Sequence, residues 1–235
     1  MPELYNITAK ETQPESFCHI NGTQEQLLAR FAVSELCKGW PVFRDASEWE
    51  NYRSLFTEDA KVWTSWSGGK SISDFITASI TGRQNGDFIM HRENSTLVDI
   101  NLSLPNPTPS AKMKATITQR FTDSSTGVQY DVECDTRFIF WCLREDSGDW
   151  KVKYNRLFYE KDRLVPVDGK HVPEFGDEEL RRFPEGYRYL GAAQKRLGHP
   201  VLKGLPTCRD DEAFWRMNEM MRKWLRGEKV DLEWD

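Results

Sequence analysis

Two rhythms of apolar and polar residues alternate along the chain. From Thr23, the apolar residues Leu28, Phe31, Ala32, Leu36 and Trp40 recur at three- and four-residue steps, the period of one buried helix face. Thr23 with Gln26 gives the helix a start signal, and Gly39 and Pro41 predict its stop. A second helix is predicted from Asp45. Asp45 and Glu48 have capping-box spacing, and Trp49, Tyr52 and Phe56 form one stripe. Thr57-Glu58-Asp59 ends that helix, and the β-branched and aromatic run Ala60–Trp66 predicts a strand. Ser67-Gly68-Gly69-Lys70 reads as a turn, and Ser73–Gly82 as a short helix.

The rhythm then changes to period two. Asp87–Leu102 predicts a strand containing His91, and Pro105, Pro107 and Pro109 predict a loop that cannot join a sheet. Ala111–Phe121 alternates most cleanly. Met113, Ala115, Ile117 and Phe121 lie on one face, with Lys112, Lys114, Thr118 and Arg120 on the other. After the turn at Asp123–Gly127, Tyr130–Arg144 carries Tyr130, Val132, Cys134, Phe138 and Phe140 on one face. The opposite face runs Asp131, Glu133, Asp135, Arg137, then Ile139, Trp141 and Leu143, so its charged middle is either wet or turned into a cavity. Trp150–Tyr159 is the last long strand, interrupted by Asn155 and Arg156. Helices followed by hairpin-linked strands predict an α+β fold.

Beyond Pro166, prolines punctuate short pieces. Helices are predicted over Glu185–Leu197 and from Asp210 or Asp211 to Gly227, the second with Phe214, Met217, Met221 and Trp224 on one stripe. The expected organisation is a loose N-terminal arm over 1–22, a main domain over 23–166, and a helical extension over 167–235. That extension would pack on the main domain or on a partner subunit.

Composition narrows the function classes. A net charge of −5 argues against a nucleic-acid partner. No run approaches the roughly 18 apolar residues a membrane helix needs, so no membrane partner is expected. The first twenty residues lack a basic start and an apolar core, which predicts a cytoplasmic protein. The five cysteines include no CxxC pair, and no His, Asp or Glu cluster has metal-ligand spacing. An enzyme without metal or cofactor is the default expectation.

The run from Asp45 through Trp49 to Leu55-Phe56 and Asp59-Ala60, followed by a strand, resembles the opening of the nuclear transport factor two-like superfamily. The branch that holds scytalone dehydratase and the SnoaL-like polyketide cyclases is the most similar. The resemblance covers roughly Thr23 to Pro166. It implies a cone-shaped barrel, a strongly curved and mostly antiparallel sheet wrapped around the N-terminal helices. It also implies a homo-oligomer, dimer or trimer, acting on a small aromatic or polyketide-like molecule.

The same resemblance places Asp45 and His91 at the positions of a catalytic pair. It departs at Arg44, where a Tyr stands in the family, and in a second His for which this chain offers Asp135 and Arg137. Eliminating water beside a carbonyl needs a base, an acid for the leaving hydroxyl and a group that polarises the carbonyl. His91 suits proton transfer, and Asp45 would fix its tautomer. Arg137 and Asn155 are candidates to hold an enolate oxygen, with Asp135 and Tyr52 as further substrate contacts. Trp40, Trp63, Trp66, Phe138 and Tyr154 are candidates to line an aromatic pocket.

Each residue also has a structural reading: Asp45 as a helix cap, His91 as an ordinary strand histidine, Tyr52 as core, Asp135 with Arg137 as a cross-strand ion pair. The function expected is therefore a cofactor-independent dehydratase- or cyclase-type lyase or isomerase of secondary metabolism. The alternative is a non-catalytic binding, scaffold or accessory protein of the same fold.

Overall fold

A computed structural model describes residues 20–234; most of the predicted N-terminal arm, residues 1–19, lies outside them. The first helix, α1 (Gln24–Asp45), begins at a complete capping box between Thr23 and Gln26. It runs past the predicted stop with Pro41 inside it. A proline there removes one backbone hydrogen bond, but the turn on either side is held by burial of Cys37, Trp40 and Arg44. The buried face is Val33, Cys37, Trp40 and Arg44. It is rotated from the predicted stripe, leaving Leu28 and Phe31 exposed.

Asp45 therefore ends a helix rather than opening one. The following helix, α2 (Trp49–Ser54), is short, with Glu48 at its N-cap position and no side-chain cap bond. Between them Ser47 adopts φ 60°, which reverses the chain. Strand β1 (Phe56–Trp63) starts four residues before the predicted strand. A minimal strand β2 (Lys70–Ser71) leads into α3 (Ile72–Gln84), capped by Ser71. Four long strands follow: β3 (Phe88–Asp99), β4 (Ser110–Thr122), β5 (Gln129–Arg144) and β6 (Trp150–Pro166).

The six strands form one sheet in the order β2-β1-β6-β5-β4-β3. Every neighbouring pair is antiparallel except β1 with β6. Register shifts interrupt the β3–β4 pairing at Glu93/Ser95, where β3 carries the extra residue, and the β5–β6 pairing at Asp135/Thr136 and Trp141/Cys142, where β6 does. Bulges of this kind bend a sheet. The sheet curls around α1 and α3 into the expected α+β cone and stays open between β2 and β3.

Period two gives the sheet two differently covered faces. The inner face (Val62, Met113, Ile117, Phe138, Phe140, Leu157) packs on α1 and α3 around Trp40. The Trp40 ring meets Tyr52, Phe75 and Phe138 at 5.3, 5.6 and 5.4 Å between centroids. On the outer face, Trp63, Ile139, Trp141 and Phe158 pack under Met217, Met220 and Met221 of α6 (Asp211–Leu225), which Asp210 caps.

Between β6 and α6 lie a four-residue helix, α4 (Asp177–Leu180), a 3₁₀ turn (Glu185–Tyr187) and α5 (Arg188–Arg196). The predicted single helix over Glu185–Leu197 is thus split between a 3₁₀ turn and an α-helix. Leu190 and Ala193 of α5 belong to the inner core.

Asp162 of β6 accepts the Leu190 N–H at 2.8 Å, so a carboxylate meets the first turn of α5. Burial pushes this carboxyl up to about 7 even though α5 amides pull it down. With a folded value above the unfolded one near 3.9, the protonated form favours folding at low pH. That contribution is lost as pH rises through 7. Asp162→Asn keeps an acceptor without the charge. We predict that its melting temperature gains on the wild type between pH 5 and pH 8.5 by roughly 3–6 °C, about 1.5 kcal/mol in a chain this size. A pH-independent difference would contradict this.

Candidate functional site

Asp45 and His91 meet where the end of α1 crosses β3. The carboxylate clamps one residue twice. Its Oδ2 accepts the His91 backbone N–H at 2.5 Å, and its Oδ1 lies 2.7 Å from His91 Nδ1. A carboxylate accepts and does not donate, so Nδ1 carries the proton and Nε2 presents its lone pair. Nε2 has no hydrogen-bond partner among the described residues. A carboxylate at a helix C-terminus faces the negative end of the helix dipole. This position is therefore unfavourable for α1 itself, and the histidine is what it serves.

The imidazole is buried, with 4% of its side chain exposed, against 20% for Asp45. Burial lowers its pKa below the ordinary value, the Asp45 bond opposes that shift, and the Arg44 charge adds to it. The net effect favours a neutral ring at physiological pH. Arg83 braces the pair, donating to the main-chain carbonyls of Asp45 at 3.3 Å, Asp87 at 3.2 Å and Ile89 at 2.8 Å. It thereby joins the end of α1 to the start of β3.

His91 lines a small inner chamber of about 30 Å³, together with Trp40, Trp66, Phe75 and Phe138. That is space for water beside Nε2, not for a ring. A larger outer chamber of about 310 Å³ adjoins it, lined by Trp49, Lys70, Arg83 and Asp87 among others. Arg44, Trp66, Ile89, Gln119 and Gln194 line both. Trp66 stacks on Phe75 at 5.0 Å and 11°.

A chain of buried polar groups runs between the chambers. Ser65 N–H donates to Tyr159 Oη at 2.9 Å, and Ser65 Oγ donates to Gln194 Oε1 at 3.0 Å. Gln194 Nε2 donates to Gln119 Oε1 at 3.1 Å. This direction of bonding leaves Gln119 Nε2 as a donor without a partner among the described residues.

Several residues predicted for the pocket lie elsewhere. Because Phe138 and Phe140 face inward, Arg137 and Asp135 face out. Arg137 Nε donates to Glu160 Oε1 at 2.6 Å, and Asp135 accepts from Thr116 Oγ1 at 2.7 Å. Trp63 lies in the outer cluster beneath α6, as does Tyr154. Asn155 is fully buried but lines neither chamber, its Nδ2 donating to the Ile139 carbonyl at 3.2 Å. Tyr52 is a core side chain, packed edge-on against Trp40 at 5.3 Å and Phe56 at 5.2 Å. Trp66, Trp40 and Phe138 are the predicted aromatics that reach the inner chamber.

A SnoaL-like domain model matches residues 25–156. The chain belongs to the SnoaL-like family. This places it in the superfamily expected from the run after Asp45. Pea pathogenicity protein 2 of Fusarium vanettenii is 36% identical over 94% of this SnoaL-like chain and 96% of its own length. An uncharacterised protein of Aspergillus terreus is 40% identical over 89% of this chain and 80% of that one. Among solved structures, a candidate scytalone dehydratase of Novosphingobium aromaticivorans is 17% identical, with a TM-score of 0.44 over 63% of this chain and 91% of that chain. That likeness is one of fold.

Arg44, Gln119, Gln194 and Ser65 are functional candidates that sequence reasoning missed. Gln119 carried a readable signal, as the one polar residue on the inward face of β4 between Ile117 and Phe121. Gln194 sits four residues after Leu190, on the buried side of α5. If the polar chain seals the two chambers apart, Ser65 and Gln194 act as a unit. Ser65→Ala and Gln194→Ala should each destabilise by about 1–2 kcal/mol. In a thermal double-mutant cycle their coupling should be on the order of 1 kcal/mol; strict additivity would contradict the seal.

Proposed function

We propose that this chain is a cofactor-independent lyase or isomerase of the dehydratase or cyclase type, with His91 as the proton-transferring group and Asp45 as its positioning carboxylate. The observation that carries this reading is the Asp45–His91 contact at 2.7 Å, which leaves a buried, neutral-leaning imidazole with Nε2 on an aromatic chamber. A structural histidine on a strand gains nothing from an unpaired ring nitrogen facing a cavity. A base in a dry chamber needs one.

The reaction follows from the groups present. Nε2 takes a proton from a carbon next to a carbonyl, and the electron pair enters the carbon–carbon bond. Gln119 Nε2 donates to the carbonyl oxygen as negative charge builds there. For elimination, the imidazolium returns its proton to the hydroxyl on the next carbon, which leaves as water and regenerates neutral His91. For isomerisation, the same proton is delivered to another carbon. Asp45 stabilises the imidazolium and remains a carboxylate throughout.

Substrate enters from the outer chamber, which is large enough for one or two fused rings. The reacting carbon reaches His91 once the Ser65–Gln194–Gln119 bonds between the chambers open, and only that edge of the substrate, not a ring, enters the inner chamber. The proposed setting is secondary metabolism, in line with the SnoaL-like fold and with a relative named for pathogenicity on pea.

The test is incubation of the full chain in D₂O with a panel of aromatic β-hydroxyketones, followed by mass spectrometry for loss of water or for deuterium gained beside the carbonyl. We expect one or the other for at least one panel member. Both signals should fall by about 100-fold or more in His91→Asn and Asp45→Asn, the range general base catalysis supplies. The wild-type rate should lose activity at acid pH with a midpoint below the ordinary histidine value near 6.5. Tight ring binding with no exchange or product would favour the non-catalytic alternative. Turnover unchanged in both variants would remove the dyad from the chemistry.

A further inference from the structure

Arg44 is a buried cation without a counter-ion. The residue is only 6% exposed, yet none of its five side-chain N–H donors bonds to any described residue. Nε is fully enclosed and unbonded. Its visible compensation is the Phe75 ring, 5.5 Å away. Neither Asp45, its chain neighbour, nor Asp87 comes within ion-pair distance. An uncompensated buried charge is among the costliest features a fold can carry. This one is held on the inner face of α1, where it lines both chambers.

The charged side chains lining the outer chamber are mostly basic. Lys70 and Arg83 line the outer chamber with Arg44, and Asp87 is the single carboxylate among its lining residues. Arg83 bonds to neutral carbonyls, and Lys70 sits over the Trp66 ring at 5.7 Å with no ion pair among the described residues. Basic side chains on low-dielectric walls concentrate anions. A guanidinium fork matches a carboxylate in two parallel hydrogen bonds. The aromatic walls, Trp49 and Trp66, suit a flat ring carrying that group.

We propose that Arg44 is the anion-binding residue of this cavity and that its ligand is an aromatic acid, a planar ring system bearing a carboxylate. Naming that ligand as the substrate rests on the function proposed above; its capture by Arg44 does not. Bound in this way, the acid would hold the rest of the ring toward His91. Arg44 would supply the cationic contact that Arg137, on the outer face, cannot.

The test is calorimetric titration of the full chain with naphthalene-2-carboxylate and with the neutral, near-isosteric naphthalene-2-carboxamide. The wild type should bind the acid about tenfold more tightly than the amide, or better. Arg44→Met should lose that preference by weakening the acid alone, and Arg44→Lys should keep part of it. Without ligand, Arg44→Met should melt at or above the wild-type temperature, because it removes an unpaired buried charge. His91→Asn should keep the acid preference. If the wild type shows the acid preference while turning over no panel compound, the binding assignment stands and the proposed chemistry falls. Equal affinity for acid and amide, absence of binding at millimolar acid, a preference that survives Arg44→Met, or a marked loss of melting temperature in ligand-free Arg44→Met would overturn the proposal.

Discussion

A carboxylate at the wrong end of a helix holds a histidine on a neighbouring strand, and the inner half of the molecule is arranged around that contact. Asp45 gains nothing from the α1 dipole, and it accepts both the main-chain and ring N–H of His91. The double clamp fixes the strand, the ring orientation and the tautomer together. Arg83 then donates to three carbonyls on both sides of the crossing, which ties α1, α3 and β3 together there. A bond of this kind contributes only about 1–3 kcal/mol net. Its larger effect is to leave one ring nitrogen free in a place where water is scarce.

Dryness comes from both ends of the chain. The aromatic wall of Trp40, Phe75 and Phe138 closes the chamber from below. Across its mouth, α5 brings Leu190 and Gln194 from beyond the last strand. Burying an amide is costly unless its hydrogen bonds are made. Gln194 makes them to Ser65 and Gln119, which turns a cost into a specific closure. Arg44 is the exception, a charge that the resting protein leaves uncompensated. Other buried polar atoms nearby, Trp40 Nε1 and Tyr52 Oη among them, also lack a partner among the described residues, but they are neutral; a full charge held this way points to a ligand rather than to the fold.

Much of the architecture was legible in alternation. The clean period of β4 and the split faces of β5 anticipated which side chains would be buried, and the charged middle of β5 proved to be a wet outer face. The site was less legible, for physical reasons. Pro41 is a strong local stop signal, overridden because Trp40 and Arg44 pack on either side of it. Once the helix continues, Arg44 falls into the Val33-Cys37-Trp40 series, and Asp45 changes from a predicted N-cap to the last residue of α1. Neither consequence follows from local spacing alone. Arg137 and Asp135 were drawn toward the chamber by the resemblance, whereas the parity of β5 already placed them opposite Phe138. Gln194 was out of reach because it closes the cavity from a segment the family pattern does not cover.

The Asp45 clamp holds His91 as the neutral tautomer, with Nδ1–H toward Asp45 and Nε2 unprotonated. Nitrogen-15 NMR of histidine-labelled protein at pH 7.5, with His91 assigned by the His91→Asn spectrum, tests this directly. We expect a protonated Nδ1 with a strongly downfield proton, a bare Nε2, and loss of that pattern in Asp45→Asn. A ring protonated at Nε2, or an imidazolium titrating above the ordinary histidine range, would contradict it.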